Sequence, residues 1–309
     1  MASTVYTKYK LDPMREVWQD RAFNGIALFL VILILLLMLY PLYLIVISSF
    51  SNPELVALGE VTLYPKKISP VGYEALLSYN ALWKSYLNSI IYTIVGTSIS
   101  IAVTMGAAFT LSRNFPGKKI ITFLFVFTMF FSGGLIPTFM AMRNIGLYNN
   151  PWICILMGSV SVWNVMVART YIKSTIPETL YEAAVLDGAS YWRYFIHVVL
   201  PLSGTIIAVL SVYYGVGKWN DYWTGLVYIA KEQFMPLQTV LRRLLATLGT
   251  NTDLVNMSGD ISEAWIIRMQ RAELAKYGII VITTAPAVVL YLCMQKFFVK
   301  GVMIGSIKG

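Results

Sequence analysis

The chain is poor in what most enzymes rely on. Its 309 residues include two cysteines and one histidine. Cys154 and Cys293 each lie inside an apolar run, where cysteine acts as a small packing residue, so no disulfide framework is expected. His197 has no cysteine or acidic cluster at metal-ligand spacing beside it, which argues for a structural histidine and against a metal centre. No GxxxxGK(S/T) phosphate loop occurs, so the chain has no nucleotide cradle of its own. No Ser/His/Asp set or pair of carboxylates forms a recognisable catalytic constellation, and catalysis by this chain is not expected. Charge is scarce as well, at 13% of residues, about half the share found in soluble domains.

Long hydrophobic runs take the place of those missing groups. Hydrophobic residues make up 57% of the chain, outside the soluble globular range. A bilayer span needs about 20 consecutive apolar residues, and six stretches qualify: roughly 24–49, 86–111, 120–140, 151–172, 199–216 and 274–294. The expected fold is therefore all-α, a polytopic membrane protein of six transmembrane helices. No repeat or internal linker divides it. The sequence reads as a polar leader (1–23), one membrane domain (24–294) and a short tail (295–309).

The first apolar run exceeds the core of about 7–15 residues of a signal peptide, and no small-residue cleavage site follows it, so it is expected to stay as an anchor. The positive-inside rule places the leader in the cytoplasm, together with the loop bearing Arg113, Lys118 and Lys119 and the tail bearing Lys296, Lys300 and Lys308. Most of the net charge of +9 is then topological, not a footprint for nucleic acid. The first outside loop, about 50–84, carries Pro53, Pro65 and Pro70 and is expected to be ordered but irregular.

Inside the spans, Gly96, Ser100, Thr104 and Ala108 recur every four residues, a small-residue ridge for close helix packing. Gly133-Gly134 and Pro137 interrupt the third span and predict a kinked helix beside a cavity. Trp163 and Asn164 lie in the fourth span. Tyr213 and Tyr214 end the fifth, followed by Lys218, Trp219, Asn220, Asp221, Tyr222 and Trp223. Aromatic rings stack on the C–H faces of sugars while amides and carboxylates take the hydroxyls, so Trp163, Asn164, Tyr213, Tyr214, Trp219, Asn220 and Asp221 are candidates for a carbohydrate path. An interfacial aromatic belt is the plainer explanation. Lys218, Arg242 and Arg243 would suit a polyanionic substrate and equally suit ordinary loop charges. The last outside loop, 219–273, is longer than a helix connector requires and fits a surface for a partner protein.

The segment 176–202 organises the rest. Pro177 suits the first helical position, where its missing N–H would be unpaired anyway, and Glu178 the positive end of the helix. Asp187-Gly188 predicts a left-handed helix stop, and Ser190 can cap a second helix running to Leu200, where Pro201 interrupts it. Glu178 and Glu182 form a like-charge pair four residues apart, costing about 0.2–0.5 kcal/mol, which a partner's cation would relieve. Ala183 and Ala184 let the helix lie close in a groove, with Leu180, Leu186 and Phe195 supplying apolar contact.

Glu182-Ala183-Ala184, Asp187-Gly188-Ala189, Phe195 and Leu200-Pro201 together resemble the EAA loop of bacterial ABC importer permeases. The tail 295–309 is similar to that of the maltose-type, oligosaccharide-importing branch, and the likeness extends from about Leu82 onward. The resemblance implies the type I ABC importer permease fold in a bacterial cytoplasmic membrane, with both termini cytoplasmic. It implies a second permease subunit, homologous or identical, and two ATPase subunits that carry ATP and Mg and grip 176–202. It also implies an extracytoplasmic solute-binding protein that delivers an oligosaccharide, including uronate-containing ones such as alginate or pectin fragments. No cofactor is expected on this chain. An ion-coupled secondary transporter is the rival reading; it would show intramembrane acids or inverted repeats, and the sequence has neither.

Overall fold

In the computed structural model, residues 18–70, 73–74, 80–244, 246, 276–293 and 295 are described. The leader before 18, the outer loop from 247 to its end at 273 and the tail after 295 lie outside the described residues. Every regular element among the described residues is helical.

The chain divides into two units, 1–69 and 70–309. The first is built on α1 (Trp18–Ser49), 32 residues interrupted by no charge beyond Arg21, about 48 Å long at 1.5 Å per residue. The Ser49 and Ser51 hydroxyls donate to the Val46 and Ile47 carbonyls at 2.7 and 2.6 Å and close its end. Asn52 then caps the short α2 (Pro53–Ala57) by accepting from the Glu54 amide at 2.9 Å. The chain folds back so that the Lys66 amide donates to Ser51 Oγ at 3.2 Å and the Ser69 amide to the Phe50 carbonyl at 2.9 Å. The outer loop up to 70 is thus irregular and hydrogen-bonded, as its prolines predict.

The second unit is organised by α3 (Asn80–Ser112), 33 residues long. Ser100, Thr104 and Ala108 are fully buried on it, and Gly96 lies on the same face. The small-residue ridge is a packing surface. Its chief neighbours are α7 (Val162–Thr175) and α10 (Gly204–Trp219). Next in the chain, α4 (Lys118–Phe130) and α5 (Leu135–Asn144) meet at 116° across the Gly133-Gly134 break. That is a break in the span, sharper than a kink, and neither helix buries a residue within this chain.

The expected fourth span, 151–172, is two helices: α6 (Trp152–Leu156) and α7. Gly158 between them takes φ +71°, a conformation that glycine alone reaches without penalty. The segment 176–202 forms α8 (Glu178–Leu186) and α9 (Tyr191–Leu202). In α9, residues Phe195–Val199 form a π turn, and the Leu200 amide donates to the Phe195 carbonyl five residues back. Pro201 brings no N–H to the turn that follows. The chain bends by 79° at Ser203 into α10, two residues past the proline. Beyond it come α11 (Trp223–Tyr228), α12 (237–244) and α13 (Lys276–Cys293).

Among the described residues, three single helices are long and apolar enough to cross a membrane: Arg21–Ser49, Asn80–Ser112 and Lys276–Cys293. The bent pairs α4–α5 and α9–α10 qualify as broken spans. One core joins Met105, Ala108 and Phe109 of α3 to Val165, Ala168 and Ile172 of α7, Tyr194 and Phe195 of α9, and Leu210 of α10. Two smaller clusters lie nearer the other end of α3, around Tyr92 with Ile153 and Tyr228, and around Leu82 with Trp219 and Ile279.

Candidate functional site

The two ends of α8 follow from local physics. Pro177 is its N-cap with ψ 142°, and Glu178 opens the first turn. At the other end Gly188 adopts φ +71°. Its amide donates to the Val185 carbonyl at 3.0 Å and the Ala189 amide to the Ala184 carbonyl at 2.9 Å. This is a Schellman closure, and it satisfies two carbonyls that would otherwise end the helix unpaired. Ser190 Oγ then accepts from the Arg193 amide at 3.3 Å and caps α9.

The helical period divides α8 into two faces. Tyr181 and Ala184 turn inward against the core. Leu180, Glu182, Ala183, Val185 and Asp187 are exposed, and Leu186 is 88% exposed. Ala183 and Ala184 therefore do different jobs: Ala183 keeps the outer face shallow, and Ala184 seats the helix on its own core. Phe195 corrects an expectation, since it is buried and stacks on Phe109 at 5.0 Å between ring centres. It holds the segment from within and offers a partner no surface. Leu200 is half-buried and Pro201 exposed.

Glu178 also differs from its expected role. Its carboxylate accepts from Arg113 Nη1 at 2.8 Å, so the cation that relieves the Glu178–Glu182 pair is supplied by this chain. The Arg113 guanidinium stands 4.3 Å from the Tyr181 ring centre and 5.1 Å from that of Tyr194. Tyr181 in turn stacks on Tyr191 at 5.6 Å, and hydrogen bonding with Tyr191 holds the Tyr181 phenol above its ordinary pKa. Glu182 keeps an exposed carboxylate on the outer face.

The aromatic candidates of the membrane region separate by burial. The Tyr214 hydroxyl lies 2.7 Å from Thr104 Oγ1 and accepts from the Ser161 amide at 3.3 Å, tying α10 to α3 and to the start of α7. Trp219 is 4% exposed, donates from Nε1 to the Thr283 carbonyl at 2.8 Å and meets Tyr86 edge-on at 5.7 Å. Asp221 Oδ1 accepts from the Thr224 amide at 3.0 Å at the start of α11. Tyr214 and Trp219 thus hold helices together, and Asp221 caps one. Trp163 and Tyr213 are both 63% exposed, Asn220 is exposed, and Asn164 is 8% exposed on the buried side of α7.

Lys218 is no loop cation. It lies inside α10, and its ammonium donates to the carbonyls of Cys154, Ile155 and Met157 at 3.2, 2.7 and 2.6 Å. All three of its protons are used. It closes the C-terminal end of α6 at the break before α7, a partner that carbonyls shielded from water need. Gly96 makes room for it, since a Cβ there would lie 3.1 Å from Lys218 Cε and 3.2 Å from the Ile155 carbonyl oxygen. Arg242 lies over the Tyr222 ring at 4.6 Å. Among the described residues no cluster of His, Cys, Asp or Glu is placed to hold a metal ion.

Residues 68–304 match the family model of the binding-protein-dependent transport system inner membrane component. The chain belongs to this family. It is 32% identical over 292 residues to the polygalacturonan/rhamnogalacturonan transport system permease protein YtcP of Bacillus subtilis, covering 94% of this chain and 100% of that one. It is 33% identical to protein LplC of the same organism, over 87% of this chain and 89% of that one. Among solved structures it resembles a bacterial ABC transporter involved in the import of the acidic polysaccharide alginate, with a TM-score of 0.80 and 29% identity, over 91% of this chain and 98% of that chain.

As an ABC importer permease of the inner membrane, the chain is a transport subunit, and ATP is hydrolysed on separate subunits. Sequence reasoning missed two features of this permease. The role of Arg113 was hidden because its partner lies 65 residues away. The three-carbonyl grip of Lys218 was hidden because a lysine beside Trp219 and Asp221 carries the same signal as a mouth-lining charge.

Proposed function

We propose that this permease imports oligosaccharides, with uronate-containing chains as its leading substrate class. It pairs with a second permease subunit and two ATPase subunits, and takes substrate from an extracytoplasmic solute-binding protein. ATP and Mg are held by the ATPases, with both termini of this chain on their side of the membrane. The observation that carries the docking role is the outer face of α8, where the exposed Val185 and Leu186 lie three and four residues from the exposed Glu182. A closed, rigid helix presenting apolar anchors around one charge suits a groove with a cation in it. Phe195 belongs to the support of that face, and Leu200 and Pro201 to its connection with α10. The substrate class is supported by the similarity to the polygalacturonan/rhamnogalacturonan permease from Bacillus subtilis and to the alginate importer. Trp163 and Tyr213 are the rings left open for stacking.

The test is ATP hydrolysis in proteoliposomes by the complex that copurifies with this chain, alone and with its binding protein loaded with trigalacturonate or maltotriose. The expected result is stimulation by the trigalacturonate-loaded protein that falls roughly 30-fold in Glu182→Ala, the scale of a lost interface hot spot. Hydrolysis in Glu182→Ala equal to wild type would sink the docking role. Equal or greater stimulation with maltotriose would sink the uronate assignment alone.

A further inference from the structure

We propose that Arg113 is the positioning residue that makes α3 follow the docking helix when the ATPases move it; the inference rests on the docking role of α8. Helix α3 ends at Ser112, and a helix C-terminus presents unpaired carbonyls and partial negative charge. Arg169 of α7 answers this directly, with Nε donating to the Leu111 carbonyl at 3.0 Å. Arg113, the residue after the last turn, reaches away from its own helix to Glu178 on α8 at 2.8 Å.

Its guanidinium is set among three rings: Phe109 of α3 at 5.4 Å, Tyr181 of α8 at 4.3 Å and Tyr194 of α9 at 5.1 Å. Its side chain is 13% exposed, while that of Glu178 is 70% exposed. One side chain therefore joins three helices, and among the described residues no other side chain of α3 or of the turn after it reaches α8 by a hydrogen bond. The chemistry suits arginine in particular. A lysine could pair with Glu178 as a point charge, but only a planar guanidinium stacks on rings and donates along its edge at once.

The other end of this link matters for transport. Helix α3 lies along α7 and α10, which carry Trp163, Asn164 and Tyr213. A displacement of α8 reaches α7 and α10 through the chain on either side of it, and Arg113 is the polar tie that carries the same displacement into α3.

The experiment uses the whole transporter in liposomes, with Cys154→Ala and Cys293→Ser as background and Lys84→Cys, an exposed position near the far end of α3, as reporter. A membrane-impermeant maleimide is applied to nucleotide-free and ATP–vanadate-trapped complexes. The expected result is a labelling rate that changes on trapping by about fivefold or more. Glu178→Gln and Arg113→Lys should flatten that change while ATP hydrolysis continues, and the charge-exchanged pair Arg113→Glu with Glu178→Arg should restore part of it. Glu178 is surface-exposed, so the Glu178→Gln variant keeps its fold. A wild-type rate indifferent to trapping, or a Glu178→Gln complex that responds like wild type, overturns the proposal and leaves docking intact. If no ATPase subunit copurifies with the wild-type chain, the docking role fails and this inference falls with it.

Discussion

The docking segment and the aromatic stretch from Tyr213 to Trp223 were both conspicuous in the sequence, and they behave differently in the fold. In α8, residues at helical spacing fall on one open face, and the helix stops where Gly188 turns left-handed. In the aromatic stretch, neighbours in sequence part company: Tyr213 is exposed while Tyr214 is buried, and Trp219 is buried while Asn220 is exposed. A motif made of caps and small residues reports on one helix. A cluster of aromatics reports only that rings are present, and adjacent positions on a helix point about 100° apart.

The sharpest way to break this comparison is to treat all the aromatics as equivalent. Trp219→Ala should cost about 3–5 kcal/mol, as large-to-small core changes do, and thermal unfolding of the purified complex would show it. Trp163→Ala should leave the unfolding midpoint almost unmoved, within about 0.5 kcal/mol, and instead raise the KM for transported oligosaccharide. Equal thermal shifts in the two variants would mean that burial has been misassigned.

Lys218→Met comes next in size. It leaves the Cys154 and Met157 carbonyls without this donor, while Ile155 keeps the Ser159 hydroxyl at 2.9 Å, at about 1–3 kcal/mol for each group that finds no other partner. A several-degree drop in the unfolding midpoint is expected. If added uronate oligosaccharide protected the wild type but not this variant, with no drop in its absence, Lys218 would be a substrate contact after all.

On the docking face, Leu186→Asp should weaken association with the ATPase by about 2 kcal/mol or more without altering the stability of the isolated permease, because its side chain lies in the open. Titration of ATPase subunit against permease in nanodiscs measures this. The smallest effect is expected from Gly188→Ala, where the left-handed conformation costs a side chain about 1 kcal/mol. The helix end should loosen, and coupled hydrolysis should fall a few-fold. An unchanged rate would mean that the Schellman closure is not needed for docking.

Much of the architecture was legible beforehand. The apolar runs marked α1, α3 and α13 because a bilayer demands length and apolarity of each span by itself. The break at Gly133-Gly134 and the closures at Gly188 and Ser190 were legible for the same reason, since each is settled within a few residues; Pro177 stands one position before its expected place, as the N-cap with ψ 142°. The division of the expected fourth span into α6 and α7 was not, because its interruption at Gly158 depends on Lys218 arriving from α10, 61 to 64 residues away, to satisfy the freed carbonyls. Phe195 was misjudged because a motif position gives no direction for a side chain.

The sequence by itself determined a membrane-spanning, non-catalytic chain with a closed helix ready for another subunit. Those properties come from composition, turn chemistry and helical period, all of which act locally. Only the tertiary structure decided which side chains serve that helix and which brace it. Pairing Arg113 with Glu178, burying Phe195 on Phe109 and folding Lys218 onto α6 all depend on residues distant in the chain meeting in space, and where water is excluded, as around Lys218, an unpaired charge or carbonyl costs too much to be left alone.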